Sequence, residues 1–206
     1  LLESWKHRMI HLMLVLFLVF LAEIAFNNKN KKWNKIFSSA ILLFAIAIAI
    51  YSAIDYENII LRMGQPNFYD KVFGFMLVIT VVIASKKRLG WAITLIGSVF
   101  IFYALYGHVF PGQFYFRGMS YSRFIDFTFN QTKGILGVPI KVAAEYVIMF
   151  IIFGAFLTKS GAGEFFIKLA FALTGRMWGG PAKASVVASA MMATINGSGV
   201  GNAVAT

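Results

Sequence analysis

The segment VVASAMMATINGSGVGNAVAT (residues 186–206) decides how the rest of the chain is interpreted. Three glycines and three polar side chains interrupt its apolar run at residues 196–202. The small and apolar residues 185–195 predict a helix about 16 Å long, roughly half of a ~30 Å hydrocarbon core. Lipid does not tolerate the free carbonyls of a helix that ends at this depth. The pattern therefore predicts the first limb of a re-entrant hairpin whose tip is residues 196–202.

The composition is that of a membrane protein. Of 206 residues, 59% are hydrophobic and 13% are charged, whereas soluble domains carry about 25% charged residues. We therefore expect an all-α integral membrane protein, a polytopic helical bundle. The absence of cysteine excludes disulfides and thiolate chemistry. The net charge of +11 comes from short basic clusters between apolar runs, which is typical of cytoplasmic loops and argues against a nucleic-acid partner.

Apolar runs predict five membrane spans. They are residues 9–26, 36–54, 72–85, 91–110 and 139–158. The third run has only fourteen residues, so it needs flanking aromatic residues or a thin bilayer to cross. We also expect the chain to be a fragment of a longer polypeptide, because it begins with Leu1 and ends within the glycine-rich motif.

Loop charges predict the orientation. The predicted loops at 27–35 and 86–88 are strongly basic, and the intervening loop at 55–71 has a net charge of −1. The positive-inside rule places the two basic loops in the cytoplasm and residue 1 outside.

Two further segments are predicted to lie along the membrane surface. Aromatic and basic residues alternate after residue 112, which favours an interfacial helix up to residue 133. Residues 164–174 form an amphipathic pattern too short to cross, with a Glu164–Lys168 pair one turn apart. We interpret Lys141, Glu145 and Glu23 as paired charges at the membrane interface.

The predicted tip has groups suited to an ion and an anion. Glycine permits left-handed backbone and close approach of a ligand, and the Asn and Ser side chains supply oxygen and amide groups. A helix ending at the tip presents carbonyls to a cation, and one leaving it presents N–H groups to a carboxylate. Two alternatives remain: the small residues, including Ala188, Ala190 and Ala193, serve helix packing, or the tip is a channel filter.

An enzyme is not favoured, and we assign no catalytic residues and no cofactor. The histidines are His7, His11 and His108. His7 and His11 are one helical turn apart but have no carboxylate in a metal-ligand pattern, so we interpret them as interface anchors.

Several stretches carry a resemblance to a known family. These are RMGQPNFYDKVFG (62–74), GWAITLIGSVFIFYALYGHVFPG (90–112), RGMSYSRF (117–124), GILGVPIKVAAEYVIMFIIFGAFL (134–157) and, most specifically, residues 154–206. They resemble the membrane subunits of tripartite ATP-independent periplasmic (TRAP) transporters, in particular fused permeases that work with a TAXI-type solute-binding protein.

The resemblance implies two domains. Residues 1–112 would be scaffold helices like the small subunit, with a connecting helix. Residues 113–206 would begin the large transport subunit: interfacial helix, span 139–158, amphipathic helix 164–174 and re-entrant hairpin 181–206, whose remainder lies beyond Thr206.

The resemblance also implies the function. The chain would belong to a multi-pass permease of the bacterial inner membrane. It would import a small, dicarboxylate-like organic acid anion with sodium, by an elevator mechanism, from a TAXI-type periplasmic binding protein. The alternatives are an ion channel and a non-transporting structural subunit.

The same resemblance identifies the tip residues. The family tip usually reads Ser-Gly-Ser-(Ser/Ala)-Val-Ala-(Asn/Thr), and this chain has NGSGVGN. The matching positions, expected to contact sodium or substrate, are Gly197, Ser198, Val200 and Asn202. The departures are Asn196, Gly199 and Gly201, of which 196 and 199 lose a hydroxyl ligand and keep their backbone carbonyls. No other metal site is expected.

Overall fold

The computed structural model describes residues 2–26 and 32–194, and all regular secondary structure in these stretches is helical. The α-helices are α1 (Leu2–Phe26), α2 (Lys32–Ile54), α3 (Tyr56–Leu61), α4 (Phe68–Leu89), α5 (Trp91–Tyr106), α6 (Tyr121–Ile125), α7 (Val138–Val142), α8 (Ile148–Lys159), α9 (Ala162–Thr174) and α10 (Gly180–Ala193). Two π-helical segments follow α6 and α7, at Asp126–Asn130 and Ala143–Val147.

Five helical stretches are long and apolar enough to cross a membrane. They are Glu3–Phe26, Trp33–Ile54, Phe68–Leu89, Trp91–Val109 and Val138–Leu157. Each corresponds to one of the five predicted spans, which confirms an all-α, polytopic membrane protein.

The predicted loop at residues 86–88 is wrong, and the correction explains how the short third span crosses. Lys86, Lys87 and Arg88 form the last turn of α4, where positive charge is favourable beside the helix carbonyls. At its start, the side chain of Asn67 caps the helix. A single residue, Gly90 with φ +85°, separates α4 from α5. The predicted loop at 27–35 is similarly shortened, because α2 already begins at Lys32.

The chain folds as two compact units, residues 1–141 and 142–206. The core of the first unit contains buried residues of α1, α2 and α4, together with Ile125, Phe129 and Leu136 from the segment after α5. The start of α1 is fixed to this segment by two side chains. The indole Nε1 of Trp5 donates to Phe129 O at 2.9 Å, and Arg8 Nη1 donates to Leu136 O at 2.8 Å.

The structure corrects the prediction of one interfacial helix after residue 112. A 3-10 turn, an extended stretch, α6 and a π-helical segment replace it. Gly118 turns the chain with φ +76°, and the neighbouring Met119 N–H then makes a tertiary hydrogen bond to Ala104 O on α5. The segment therefore folds back onto the helices, and Ile125 and Phe129 are fully buried.

Ion pairing at the other end of the first unit agrees with the predicted orientation. Glu23, near the end of α1, accepts from Lys87 Nζ of α4 at 3.1 Å. Arg88 Nη2 donates to Val19 O of α1 at 3.3 Å. The basic end of α4 and the end of α1 thus lie together, as a shared membrane side requires. Glu23 is a paired charge, as predicted.

The second unit contains α8, α9 and α10. Gly161, with φ +87°, separates α8 from α9, which confirms the predicted end of the fifth span and the predicted amphipathic helix. Glu164 and Lys168 pair at 2.6 Å, also as predicted. Phe165, Phe171 and Leu173 of α9 are largely exposed within the described residues.

Replacing Gly74 by alanine tests how α6 and the following π-helical segment (residues 121–130) pack on α4. A Cβ at this position would lie 2.5 Å from Ile125 Cγ2 and 3.1 Å from Phe129 Cβ. We expect a loss of about 1–3 kcal/mol from overpacking, measured as a lower thermal midpoint of the purified protein in detergent. Gly97→Ala is the matched control, because nothing lies within 4 Å of its Cβ position. Equal midpoints for the two variants would contradict this packing.

Candidate functional site

The predicted tip residues lie outside the described residues. Asn196, Gly197, Ser198, Gly199, Val200, Gly201 and Asn202 all follow Thr194, where the description ends. Their roles stay predictions. The structure does describe the helix that leads to them.

Helix α10 is that limb. It begins at Gly180, five residues earlier than the predicted 185, because Gly179 adopts φ +70° and Pro181 occupies the first turn. Its fourteen residues span about 21 Å, still short of a ~30 Å core. The described helix is thus longer than predicted and still shorter than a membrane crossing.

The end of α10 satisfies one of its own carbonyls. Thr194 Oγ1 donates to Met191 O at 2.7 Å, and the Thr194 N–H approaches the same oxygen at 3.3 Å. A helix that stops inside a bilayer needs such substitutes for its missing backbone partners. Thr194 was not among the predicted site residues, although a Thr just before a glycine-rich stretch is a visible sequence signal for such a cap.

Small residues join α10 to α9. Ala184 and Ala188 of α10 are buried against Ala170 of α9, with Ile167 and Val187 beside them. The packing prediction is therefore confirmed for Ala188. Ala190 and Ala193 are exposed within the described residues, so for these two it stays a prediction.

Near the ends of the two helices, Gly163 of α9 lies close to Met192 of α10: a Cβ built on Gly163 would stand 3.8 Å from Met192 Cε. Because Gly163 begins α9 and Met192 ends α10, the two helices run antiparallel.

A polar constellation lies in the first unit, around the start of α4. Its centre is Asp70, a fully buried carboxylate in the first turn of α4. Arg62 donates to it through Nε (3.0 Å) and Nη2 (3.0 Å), and Tyr51 through its hydroxyl (2.7 Å). Asp70 Oδ2 also accepts from the Asn67 N–H at 3.0 Å. We call Tyr51, Asp55, Arg62, Asp70 and Asn130 the Asp70 cluster.

The Arg62 guanidinium bridges two carboxylates. Its Nη2 also donates to Asp55 Oδ2 at 2.6 Å. Hydrogen bonds from Asn58 and then Arg62 hold the pKa of Asp55 below its usual value. The hydrogen bond to Asp70 in turn raises the pKa of Arg62 above its usual value. Asp55 and Arg62 are therefore both charged at neutral pH.

The cluster reaches the π-helical segment through Asn130. Its Nδ2 lies 3.3 Å from Ile59 O and 3.5 Å from Asp70 Oδ2, and the residue is fully buried. Nearby, Asp126 accepts from the Gly64 N–H at 2.8 Å and from Gln131 Nε2 at 2.5 Å. Four separate parts of the chain are thus tied to one buried charge.

These charged residues were visible in the sequence, but contacts between them were not predicted. One signal was available: Asn67 and Asp70 precede an apolar run at the spacing of a capping box, which the structure shows to be formed in both directions. The contribution of Asn130, sixty residues further along, has no local signal.

The fold is that of a multi-pass membrane protein in which a short helix, α10, precedes a glycine-rich stretch of sequence. The sequence model described as the tripartite ATP-independent periplasmic transporter, DctM component, matches residues 75–206. The chain belongs to this family, which is a family of transporters and implies a periplasmic binding protein as partner. No curated protein and no solved structure matches the chain.

Replacing Asp70 by asparagine tests whether the cluster depends on its charge. Removing one partner from a buried pair leaves the other uncompensated, and we expect a loss of about 3 kcal/mol in the free energy of unfolding. Asp55→Asn is the control: its side chain is 24% exposed, so the loss should stay below about 1 kcal/mol. Chemical unfolding in detergent measures both, and similar losses would contradict the central place of Asp70.

The lowered pKa of Asp55 predicts an acid-dependent stability. Because its folded-state pKa lies below the unfolded-state value, its ionised form adds stability above a pH of about 4. This contribution is lost as the pH falls through the folded-state pKa. We expect the wild-type thermal midpoint to fall more steeply than that of Asp55→Asn below this pH. Parallel midpoints between pH 6 and pH 3 would show that Asp55 is not held by Arg62 and Asn58.

Proposed function

We propose that the chain is part of a permease that imports a small organic acid anion together with sodium. The observation that carries the proposal is the family match over residues 75–206, which includes the broken helix and the tip. The substrate would be dicarboxylate-like and delivered by a TAXI-type periplasmic binding protein. The membrane would be the bacterial inner membrane.

The geometry of α10 supports an ion and anion site at residues 196–202. The helix ends at Ala193, after a length that cannot cross the membrane, and the glycine-rich segment follows directly. Its last carbonyls point along the helix toward this segment and carry partial negative charge, which favours a cation. Backbone carbonyls of Gly197, Gly199 and Val200 and side chains of Ser198 and Asn202 are the proposed ligands.

The division into two compact units supports an elevator mechanism. Such a mechanism needs a scaffold that stays fixed and a carrier that moves as a body. The Asp70 cluster and the Trp5 and Arg8 hydrogen bonds stabilise the first unit. The second unit has its own small-residue core between α9 and α10. The proposed boundary between the small-subunit-like and large-subunit parts, at residue 112, stays a prediction.

Transport in proteoliposomes tests the proposal. The full-length permease, reconstituted with its binding protein, is expected to take up labelled dicarboxylate only when an inward sodium gradient is imposed. Ser198→Ala and Asn202→Ala should each reduce initial uptake about tenfold or more, since each removes one ligand in a site shielded from water.

Ser185→Ala is the matched control, because its hydroxyl is exposed and donates within its own turn to Ala182 O at 2.9 Å. Uptake driven equally by a proton gradient would refute sodium coupling. Passive single-channel currents would indicate a channel instead, and unchanged uptake in both tip variants would refute the tip assignment.

A further inference from the structure

A groove of about 380 Å³ opens between α1 and α2 in the first unit. Met9, Met13 and Phe17 of α1 lie along it, and its lining is overwhelmingly apolar. We call it the α1/α2 groove. It is separate from the Asp70 cluster and from α9 and α10.

One end of the groove is cationic. Lys6 lines it and lies 4.8 Å from the centre of the Tyr56 ring. The described residues provide no ion pair for Lys6. Of the two acids that flank Tyr56 in the chain, Asp55 pairs with Arg62 at 2.6 Å and Glu57 accepts from the Tyr56 hydroxyl at 2.8 Å. The mouth therefore presents a positive charge with an aromatic ring beneath it, at the level where the span beginning at Glu3 enters the membrane.

A buried hydroxyl lies one helical turn further in. Ser52 lines the groove, is only 5% exposed, and its Oγ has no hydrogen-bond partner among the described residues. A buried hydroxyl without a partner is costly, and most such groups are satisfied in folded proteins. The apolar side chains that line the groove provide no hydrogen-bond partner for the Ser52 hydroxyl. The hydroxyl thus points to a ligand that brings a hydrogen-bond acceptor to this depth.

The order of these groups matches the order of groups in a phospholipid. The groove offers a cation beside Tyr56 at its mouth, a hydroxyl donor on α2 four residues before Tyr56 in the chain, and an apolar channel. A phospholipid offers a phosphate, then ester carbonyls, then an acyl chain. A fatty acid would satisfy Lys6 and the channel, but it has no ester to accept from Ser52.

We infer that the α1/α2 groove binds one anionic phospholipid. Its phosphate lies at Lys6, an ester carbonyl accepts from the Ser52 hydroxyl, and an acyl chain packs along Met9, Met13 and Phe17. Charge complementarity favours a headgroup with a net negative charge, since the groove lining contains a lysine and no carboxylate. This site does not depend on the proposed transport activity.

Native mass spectrometry of the full-length protein in detergent, titrated with phosphatidylglycerol, tests the inference. We expect one tightly retained lipid in the wild-type protein. Lys6→Gln should weaken this binding about fivefold, as for the loss of one lysine near an anionic headgroup. Ser52→Ala should weaken it by about twofold to tenfold, as for one neutral hydrogen bond. Lys6→Arg should retain it.

Lys86→Gln is the matched control. Lys86 is also exposed and lies over an aromatic ring, 3.9 Å from the centre of Trp91, but it does not line this groove. The Lys86→Gln variant should bind the lipid as tightly as the wild-type protein does. Equal weakening by Lys6→Gln and Lys86→Gln would overturn the site. So would equal retention of phosphatidylcholine, a response to inorganic phosphate alone, or undiminished binding by Ser52→Ala.

Discussion

The fold of the first unit depends on one buried carboxylate. Asp70 has no exposed surface, and its charge is compensated by Arg62, Tyr51 and the backbone of Asn67. These partners come from α2, from the connection between α3 and α4, and from the turn before α4. Asn130 adds the π-helical segment. A buried charge is tolerated only when such partners are held in place, so the cluster fixes the register of all four parts at this end of the bundle.

The length and apolar character of the helices were predictable from the sequence, because a bilayer requires about twenty apolar residues per crossing. The residues at which the helices begin and end were harder to predict. Lys86–Arg88 look like a loop by composition, yet a helix can extend beyond the hydrocarbon core and place its basic residues on its last turn. The residues after 112 look like one surface helix, but tertiary hydrogen bonds to α5 outweigh local propensity.

The candidate site was predictable in part. The length of the run before residue 196 and the glycines after it predict a short helix, and α10 lies where this helix is predicted; the re-entrant hairpin itself stays a prediction. Which small residues pack and which face outward could not be predicted, because this depends on where α9 lies against α10. Ala188 faces Ala170, whereas Ala190 and Ala193 do not. The Asp70 cluster was not predictable, since its members are up to 79 residues apart in sequence, Tyr51 to Asn130.

The hydrogen bonds of Trp5 and Arg8 have a consequence for the order of membrane insertion. Their acceptors, Phe129 O and Leu136 O, are 124 and 128 residues further along the chain. At a synthesis rate of 5–20 residues per second, α1 waits roughly 6–25 s for these acceptors to be made. During this time three more spans enter the bilayer while the Arg8 guanidinium stays in contact with water or headgroups. Helix α1 therefore completes its buried hydrogen bonds only after the chain has been made as far as Leu136.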